Sequence, residues 1–459
     1  MGEAPKQRVA VIGSGMAGLV AAFLVQRDTK CRYEVEVFEK QDQLSLDSAS
    51  YTLGTAADGD SPSYRVDIPM RAFDNNYHIN LKRMYDYLGI DYVSPKFLYS
   101  LSRFSPSTGE RERPYFIHSS SNHRVPPIRP RSRGRVEWIA ETLYLMICYF
   151  WFTVCCFLVR PKGTTKSCED ESLQRYLERI RLPSYFSRRY LLPLLSSMTT
   201  CSHNELLNFP AADVVDYAKR TYRQPHYTVV GGVQMVQSRI SEGLVVRLSS
   251  TVTAVESIGT RCRVTWTDSQ GVNVSSEEYD HVIMAVTPDV VSTIFKPLGK
   301  LLQSIPVVQG ECIVHRDTSI IPDGGLLAAE AQKVRKQPEV MYMFSDDTST
   351  ESVHQHPLSV LVTNFPIAPV ESSKIIHRAR LTRVLRTPES RKVVNSIFSA
   401  GRSQHTPKEK EKVWCNGDGN VWLVGAWCWD GMVLLEGCVM SAMRVAACLD
   451  VDIPWLKKE

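Results

Sequence analysis

The N-terminal stretch constrains the fold more than any other part of the chain. It reads Arg8-Val-Ala-Val-Ile-Gly-Ser-Gly-Met-Ala-Gly-Leu-Val-Ala-Ala22, and Glu34-Val-Glu-Val-Phe-Glu39 follows it. A β-branched run ends at Gly13, and apolar residues then recur at helical spacing from Met16 to Val25. This order predicts a strand, a tight turn, a helix and a second strand, which together form a βαβ unit of a parallel sheet.

Three glycines and one carboxylate occupy the positions of a dinucleotide-binding motif. Gly13 permits the tight turn, Gly15 lets the backbone approach a pyrophosphate, and Gly18 lets the helix pack closely on the strand. The free N–H groups at the start of the helix then face a phosphate. Glu39 follows Gly18 by 21 residues and ends the second strand, where its carboxylate can accept hydrogen bonds from ribose hydroxyls. Because this carboxylate repels a 2′-phosphate, the pattern predicts FAD or NAD rather than NADP.

Size and charge allow a second domain and disfavour nucleic acid as a partner. The 459 residues, 43% hydrophobic and 22% charged, suffice for a dinucleotide domain and a substrate domain with its own core. The net charge is +5, and one basic run lacks the aromatic residues of a nucleic-acid-binding module. A solvated loop and a contact with anionic lipid head groups are its two interpretations. The run comprises Arg124, Arg129, Arg131, Arg133 and Arg135.

The cysteines indicate a reducing environment. The chain has 12 of them, without a CxxC pair or a Cys/His spacing typical of zinc. We therefore expect an intracellular, cytoplasmic protein without a metal site. No apolar signal region precedes Val9.

The most apolar stretch is Leu143 to Val159, which carries no charge and is flanked by basic residues. Its length lies at the lower limit of about 17 to 25 residues for a membrane span. A single span would separate two chain ends that one nucleotide domain needs on the same side of the bilayer. An interfacial helix whose basic flanks meet lipid phosphates therefore fits better, so we expect membrane association through residues 143–159. A buried core helix or the wall of an apolar substrate channel is the alternative.

The rest of the chain contains further periodic segments. Helices are predicted near Leu81–Leu88, Glu169–Ile180, Leu191–Met198, Ala211–Arg220 and Met440–Leu449, and strands near Val245–Val255, Cys262–Trp266, Asp280–Val286 and Asn420–Val424. The segments Gln41–Ser63 and 89–130 are rich in turn-forming residues and are predicted to be irregular.

Short motifs along nearly the whole chain accompany the glycine pattern. They are Arg65-Val-Asp67, Pro69-Met-Arg-Ala-Phe73, Leu173-Gln-Arg-Tyr-Leu177, Tyr190-Leu-Leu-Pro193, Asn208-Phe-Pro210, Val230-Gly-Gly232, Val314-His-Arg-Asp317, Gly425-Ala-Trp427 and Ile453-Pro-Trp455. With them the chain resembles the flavin-containing amine oxidase superfamily, a two-domain FAD fold shared with phytoene-type desaturases. It resembles more closely a branch of bacterial and fungal FAD oxidoreductases. The resemblance implies an α/β fold, with a Rossmann-like FAD-binding domain and an α+β substrate domain.

The resemblance also implies domain limits and cofactor contacts. The FAD-binding domain would comprise residues 1–63, 225–290 and 415–459, and the substrate domain residues 64–224 and 291–414. The first and last segments of the chain would then meet around one FAD. The implied contacts are Gly13, Ser14, Gly15, Met16, Ala17, Gly18 and Glu39 for the ADP half, Val252 near the adenine, and Gly425, Ala426, Leu435 and Glu436 for the ribityl chain and the flavin.

Two departures from the family leave the catalytic residues unknown. Where the family has a Gly-Gly pair after the carboxylate, this chain has Leu44-Ser-Leu-Asp-Ser48, and where closer relatives carry His-Glu-Asp it has Leu434-Leu-Glu436. The polar candidates are Tyr77, His78 and His315, for which a structural, hydrogen-bonded role is the alternative. Trp427 and Trp429 either stack on a substrate or pack in the core.

A single dinucleotide fingerprint favours the substrate over NAD(P)H as the electron donor. The leading interpretation is an FAD-dependent oxidase, dehydrogenase or desaturase that takes a hydride from an apolar or lipid-like substrate. A flavin amine oxidase of soluble amines is one alternative, and a non-catalytic lipid-binding escort protein is another. A protein that binds NAD alone is disfavoured, because the resemblance gives the C-terminal segment to the flavin.

Overall fold

The computed structural model describes residues 5–53, 64–119, 127–130, 133–163, 170–322, 339–356, 359–398 and 414–456. Its strands are β1 Gln7–Ile12, β2 Tyr33–Phe38, β3 Tyr51–Leu53, β4 Tyr64–Val66, β5 Phe73–Asp74, β6 Tyr92–Val93, β7 Phe97–Ser105, β8 Glu110–Arg111, β9 Phe116–Ser119, β10 His226–Val229, β11 Val245–Arg247, β12 Thr251–Ile258, β13 Arg261–Thr267, β14 Val274–Tyr279, β15 His281–Met284, β16 Val307–His315, β17 Glu339–Ser345, β18 Thr350–His356, β19 Val360–Asn364, β20 Ile375–Val384 and β21 Val421–Leu423.

Its helices are α1 Met16–Gln26, α2 Ile79–Leu88, α3 Arg135–Leu158, α4 Leu173–Arg179, α5 Ser184–Phe186, α6 Leu192–Thr199, α7 His203–Leu207, α8 Ala211–Thr221, α9 Val233–Ser241, α10 Pro288–Ile294, α11 Gly299–Leu302, α12 Pro388–Phe398 and α13 Leu435–Cys448. A π-helical turn, Ser187–Leu191, connects α5 with α6.

The N-terminal βαβ unit forms the centre of a parallel sheet. The strands run in the order β11-β2-β1-β15-β21, and β1 pairs with β2 on one side and β15 on the other. The central strands are buried on both faces, which is why they read as continuous apolar runs. The predicted Rossmann-like α/β fold is confirmed.

The two ends of the chain pack against each other beside this sheet. Helix α1 lies against α13. The Tyr33 hydroxyl donates to the carbonyl of Leu449 at 2.9 Å, and the rings of Phe23 and Trp455 stack at 6.5 Å. The expectation that the first and last segments come together is therefore confirmed.

A second, eight-stranded sheet follows the order β20-β16-β19-β18-β17-β7-β8, with β9 paired to β7. The prediction that residues 89–130 are irregular was wrong at β7, which pairs in parallel with β17 from Phe97 to Arg103. The sequence of β7 does not indicate a buried strand, because the polar residues Ser100 and Ser102 are buried together with their apolar neighbours. Within the predicted loop Gln41–Ser63, β3 pairs with β4, and residues 54–63 lie outside the described part.

Residues 73–90 pack in the core of the nucleotide-binding sheet. Phe73, Leu81, Met84 and Tyr85 belong to the same buried cluster as the residues of α1 and α13. The domain limits implied by the family stay a prediction, and this segment of the expected substrate domain adjoins the cofactor-binding part.

Helix α3 covers a second core formed by α4, α6 and α8. Its buried face carries Leu145, Cys148, Phe152, Cys155 and Cys156. The Trp151 indole also donates to the carbonyl of Ile180 at 2.8 Å. These contacts, spread from residue 145 to residue 156, attach the helix to the protein along its length.

Candidate cofactor-binding site

The turn between β1 and α1 contains glycines, and the space that side chains would otherwise occupy is open to a phosphate. Gly13 has a φ of +100°, and a Cβ there would lie 2.9 Å from the carbonyl oxygen of Ala285. A Cβ on Gly18 would lie 2.0 Å from the carbonyl oxygen of Gly13, so only glycine allows α1 to approach β1 this closely. Around Gly15 the nearest atom to such a Cβ is the Ser45 Oγ at 4.0 Å. Gly15 therefore presents open backbone at the N-terminus of α1.

The Glu39 carboxylate is joined to this turn through Ser14. The backbone N–H and the hydroxyl of Ser14 donate to the Glu39 Oε2 at 3.1 and 2.6 Å. The Gln41 N–H donates to the Oε1 at 3.0 Å. The carboxylate is thus fixed at the end of β2, where the sequence predicts a contact with ribose. Met16 and Ala17 follow in the first turn of α1 and are buried.

Val252 lies just beyond a backbone contact with Glu39. It is buried at the start of β12, two residues after Ser250, whose N–H donates to the Glu39 carbonyl at 2.9 Å. The position is compatible with the expected contact to the adenine.

The loop that replaces the family's Gly-Gly pair lies beside the turn. The Ser45 N–H donates to the Ser14 Oγ at 2.8 Å, and Leu46 is buried in the core beneath it. The Arg65 guanidinium holds the loop from the other side through the Asp47 carboxylate at 2.5 Å. The departure in sequence therefore does not open the cradle, because Ser45 supplies a hydroxyl near Gly15.

Arg71 is a candidate that sequence reasoning missed. Its Nη2 donates to the carbonyl of Leu46 at 2.7 Å, whereas its buried Nη1 has no hydrogen-bond partner among the described residues. Burial lowers the pKa of Arg71, and the charges of Asp67 and Asp47 oppose that effect. An unpaired guanidinium N–H beside the phosphate-binding turn is suited to an anionic partner. The signal in the sequence was an arginine inside the Pro69–Phe73 motif.

The C-terminal segment brings a second helix N-terminus to the site. Gly425 follows β21, and its N–H donates to the Ser441 Oγ at 2.9 Å. A Cβ on Gly437 would lie 2.5 Å from the carbonyl oxygen of Ala426, so the first turn of α13 packs directly on this strand end. Leu435 and Glu436 begin α13, where the N–H groups of the first turn lack partners within the helix.

The side chain of Glu436 has a structural role that the sequence did not predict. Its carboxylate is buried and accepts hydrogen bonds from the N–H groups of Asn80 and Leu81 and from the Asn80 amide, at 2.7 to 3.1 Å. These are first-turn groups of α2, so the carboxylate caps that helix. Any contact of Glu436 with a cofactor therefore falls to its backbone.

Trp427 and Trp429 are held by their indole and carbonyl groups. The Trp427 indole donates to the carbonyl of Val286 at 3.2 Å, and the ring is buried, which favours core packing over substrate stacking. The Trp429 indole donates to the carbonyl of Met432 at 2.9 Å. Buried Arg386 donates to the carbonyls of both tryptophans at 3.0 and 2.9 Å.

The three polar candidates are hydrogen-bonded in the structure. His78 Nδ1 lies 2.7 Å from the Asp74 Oδ2, and the Tyr77 hydroxyl accepts from the Met432 N–H at 3.0 Å. Both residues adjoin the C-terminal segment. His315 is fully buried in β16, where its Nε2 lies 2.8 Å from the Thr363 hydroxyl, and burial lowers its pKa to about 4. His315 therefore fits the structural alternative.

Together these residues provide two groups of candidate contacts for a dinucleotide. The Gly15 turn, Glu39 and Arg71 suit a ribose and a pyrophosphate, and the strand end at Gly425 with the start of α13 suits a second ring system. The open backbone at Gly15 and the unpaired Nη1 of Arg71 are the observations that show the fit.

Comparison with known families agrees with this geometry. Residues 11–88 match the family described as NAD(P)-binding Rossmann-like domain, and residues 165–309 match the one described as flavin containing amine oxidoreductase. No curated protein matches the chain in sequence.

Three solved structures share the fold at low sequence identity. One is assigned as a protoporphyrinogen oxidase from Exiguobacterium sp. 255-15, with a TM-score of 0.59, 13% identity, and 98% of this chain and 99% of the other covered. A triple mutant of putrescine oxidase with redesigned cofactor binding has a TM-score of 0.58, 14% identity, and 97% and 99% covered. A CLA-producing fatty acid isomerase from P. acnes has a TM-score of 0.60, 12% identity, and 97% and 99% covered.

Proposed function

We propose that this chain, an FAD-dependent oxidoreductase of the flavin amine oxidase-like superfamily, oxidises an apolar, lipid-like substrate. We propose further that it does so at a membrane surface. FAD supplies the redox chemistry by accepting a hydride, while the protein orients the substrate and excludes water. One fatty acid isomerase has this fold, so the fold admits such a substrate.

The exposed face of α3 is the observation that carries the proposal. Opposite its buried face, this helix exposes a row of apolar side chains over six turns, an arrangement that suits a helix lying in the lipid interface. We name this row the α3 apolar face; it comprises Val136, Ile139, Leu143, Met146, Ile147, Phe150, Trp151, Phe157 and Leu158.

A spanning orientation fits less well than an interfacial one. Among the described residues, α3 is the one helix long and apolar enough to cross a membrane, a test that a core helix also passes. The buried face of α3 is attached to a folded core, so the helix can enter lipid only to about half its width. Arg135 and Arg160 are exposed at its ends and suit lipid phosphates, whereas the largely buried Arg133 pairs with Glu137 and Glu141. Arg124 and Arg131 lie outside the described residues.

An apolar core connects α3 with the C-terminal half of the cofactor site. Its buried face shares one cluster with Tyr77 and Met432, and Trp429 and Leu434 pack against that cluster. Leu434 directly precedes α13. A lipid chain that enters beside α3 would therefore meet apolar side chains up to the flavin end of the site.

Membrane attachment is tested by flotation of the purified flavoprotein with vesicles that contain anionic lipid. We expect wild-type protein to float, and the double variant Ile147→Glu/Phe150→Glu to lose at least about tenfold in vesicle affinity, because each charge would enter the interface. The control is Val272→Glu/Val274→Glu, which alters two exposed valines near β14. Equal flotation of both variants would contradict the attachment.

The substrate class is tested by anaerobic bleaching of the flavin absorption. We expect fatty acyl or isoprenoid compounds to bleach it faster than polyamines or NADPH, because one dinucleotide fingerprint leaves the substrate as electron donor. Rapid bleaching by NADPH alone would refute that direction of transfer. Hydrogen peroxide and aldehyde from soluble amines would favour the amine oxidase alternative, and a purified chain without flavin absorption would favour the escort protein.

A further inference from the structure

Two histidines and a glutamate that are not among the residues proposed to hold FAD form a cluster on the large sheet. The strand period of two places His354 and His356 on the same face of β18. Val340 of β17 pairs with Gln355, so the next pair in this register sets Glu339 opposite His356. One ligand atom from each of the three residues lies within 4.8 Å of the others.

The distances are those of side chains that converge on one point. The His354 Nε2 lies 2.7 Å from the Glu339 Oε2, and the two imidazole rings are 4.2 Å apart. The His354 side chain is 6% exposed and that of Glu339 is 28% exposed. The cluster is therefore accessible to an ion from the side of Glu339, and one coordination position of that ion would face water.

Tyr64 provides a second layer around the cluster. Its hydroxyl lies 3.4 Å from the Nδ1 of His356, which leaves the Nε2 of that ring for a ligand. Imidazole ligands of metals commonly bond an outer group through their other nitrogen, and this contact fixes the tautomer. Tyr64 begins β4, whose hairpin with β3 lies on the large sheet through the cluster of Val66 and Val314.

We propose that Glu339, His354 and His356 bind a divalent cation, with Zn²⁺ as the preferred ion. Two imidazoles and one carboxylate are a ligand set for zinc and other transition metals, whereas magnesium and calcium prefer oxygen ligands alone. The ion would take the place of the direct contact between His354 and Glu339. It would join β17 to β18 and, through Tyr64, hold the β3–β4 hairpin on the sheet.

This proposal departs from the sequence-based expectation that the chain has no metal site. That expectation came from the absence of a CxxC pair and of a Cys/His zinc spacing, and the proposed ligands include no cysteine. The signal in the sequence was His354-Gln-His356, which contains two ligands on one strand face. Its third ligand comes from a neighbouring strand and could not be read from local spacing.

The test is metal binding by tag-free, full-length flavoprotein in which Cys31→Ser and Cys448→Ser remove the two exposed thiols of the described residues. After treatment with a chelator and dialysis against Zn²⁺, we expect about one ion per chain by elemental analysis. Glu339→Gln, His354→Gln and His356→Gln should each weaken the affinity at least about tenfold, and Tyr64→Phe about tenfold, as for outer contacts of metal sites.

The matched control is His377→Gln in β20, a histidine of the same sheet that stacks on Tyr51 and lies outside the cluster. It should bind zinc as the parent does. Flavin absorption of each variant reports whether it is folded. Cobalt bound to the parent protein gives a second measurement that needs no variant, since its visible absorption bands report nitrogen and oxygen ligands. Absence of stoichiometric zinc and of cobalt bands in the parent, or undiminished zinc in a folded ligand variant, would overturn the proposal.

Discussion

Gly18 leaves no space for a methyl group. A Cβ there would lie 2.0 Å from the carbonyl oxygen of Gly13 and 2.9 Å from the Ala285 side chain. We expect Gly18→Ala to force α1 away from β1 and to cost about 1 to 3 kcal/mol or more, as overpacking does. Flavin content and urea unfolding measure this effect. The control is Gly134→Ala before α3, where no atom lies within 4 Å. Equal stability and flavin content of the two variants would contradict the close approach.

Arg71 offers a guanidinium N–H that has no hydrogen-bond partner among the described residues, next to the phosphate-binding turn. Arg71→Met keeps the length of the side chain and removes the charge. A charge-assisted hydrogen bond contributes about 1.5 to 3 kcal/mol, which corresponds to roughly tenfold to a hundredfold in FAD affinity. Quenching of flavin fluorescence during titration of the apoprotein measures it.

Arg83→Met is the control for that experiment, because Arg83 lies on the exposed side of α2. If both variants bind FAD as tightly as the wild type, Arg71 has no part in holding the cofactor.

Helix α2 depends on a carboxylate from α13. Glu436 accepts three hydrogen bonds from the first turn of α2, and burial raises its pKa. Glu436→Ala leaves buried N–H groups without a partner, so we expect a loss of about 2 to 4 kcal/mol in the free energy of unfolding. Glu242→Ala, at an exposed position after α9, should change it by less than about 0.5 kcal/mol. A loss as small for Glu436→Ala would exclude the capping role.

A buried charge cluster joins α8 to α12 behind the Trp427–Trp429 turn. The Asp213 carboxylate lies 3.6 Å from Arg391, and Arg386, Asp430 and Asp170 also act on its charge. Burial nevertheless raises the pKa of Asp213 to about 6. Because the folded pKa exceeds the unfolded one of about 3.9, the stabilisation is complete below pH 4 and is lost as the pH rises through about 6.

Asp213→Asn tests this pH dependence. We expect the wild type to lose about 2 kcal/mol relative to the variant between pH 4 and pH 7, since each pKa unit corresponds to 1.36 kcal/mol. Urea unfolding at each pH gives both curves, and their difference removes the contributions of other titrating groups. Parallel curves would mean that Asp213 stays ionised in the folded protein.

At the scale of the molecule, local sequence was sufficient where neighbours in the chain are neighbours in space. The turn at Gly13, the helix at Met16 and the strand to Glu39 form one contiguous unit, and periodicity predicted them. Strand β7 was missed because its partner β17 is distant in sequence, and nothing in its own residues marks Ser100 as buried. Arg71 and the capping carboxylate of Glu436 depend on similar long-range contacts.

The cofactor should also stabilise the whole molecule, because its site is built from both ends of the chain. The Gly15 turn is proposed to hold one half of FAD and the segment from Gly425 to α13 the other, and α1 packs on α13. A ligand at a hundred times its Kd adds about 2.7 kcal/mol to the folded state. Removal of FAD should therefore lower the melting temperature in scanning calorimetry, and FAD should restore it.

Riboflavin lacks the ADP half that Ser14 and Glu39 are proposed to hold, so it should restore far less of the melting temperature. Equal rescue by riboflavin would show that the N-terminal turn does not bind the cofactor. No rescue by FAD would show that the two chain ends do not form a shared FAD site.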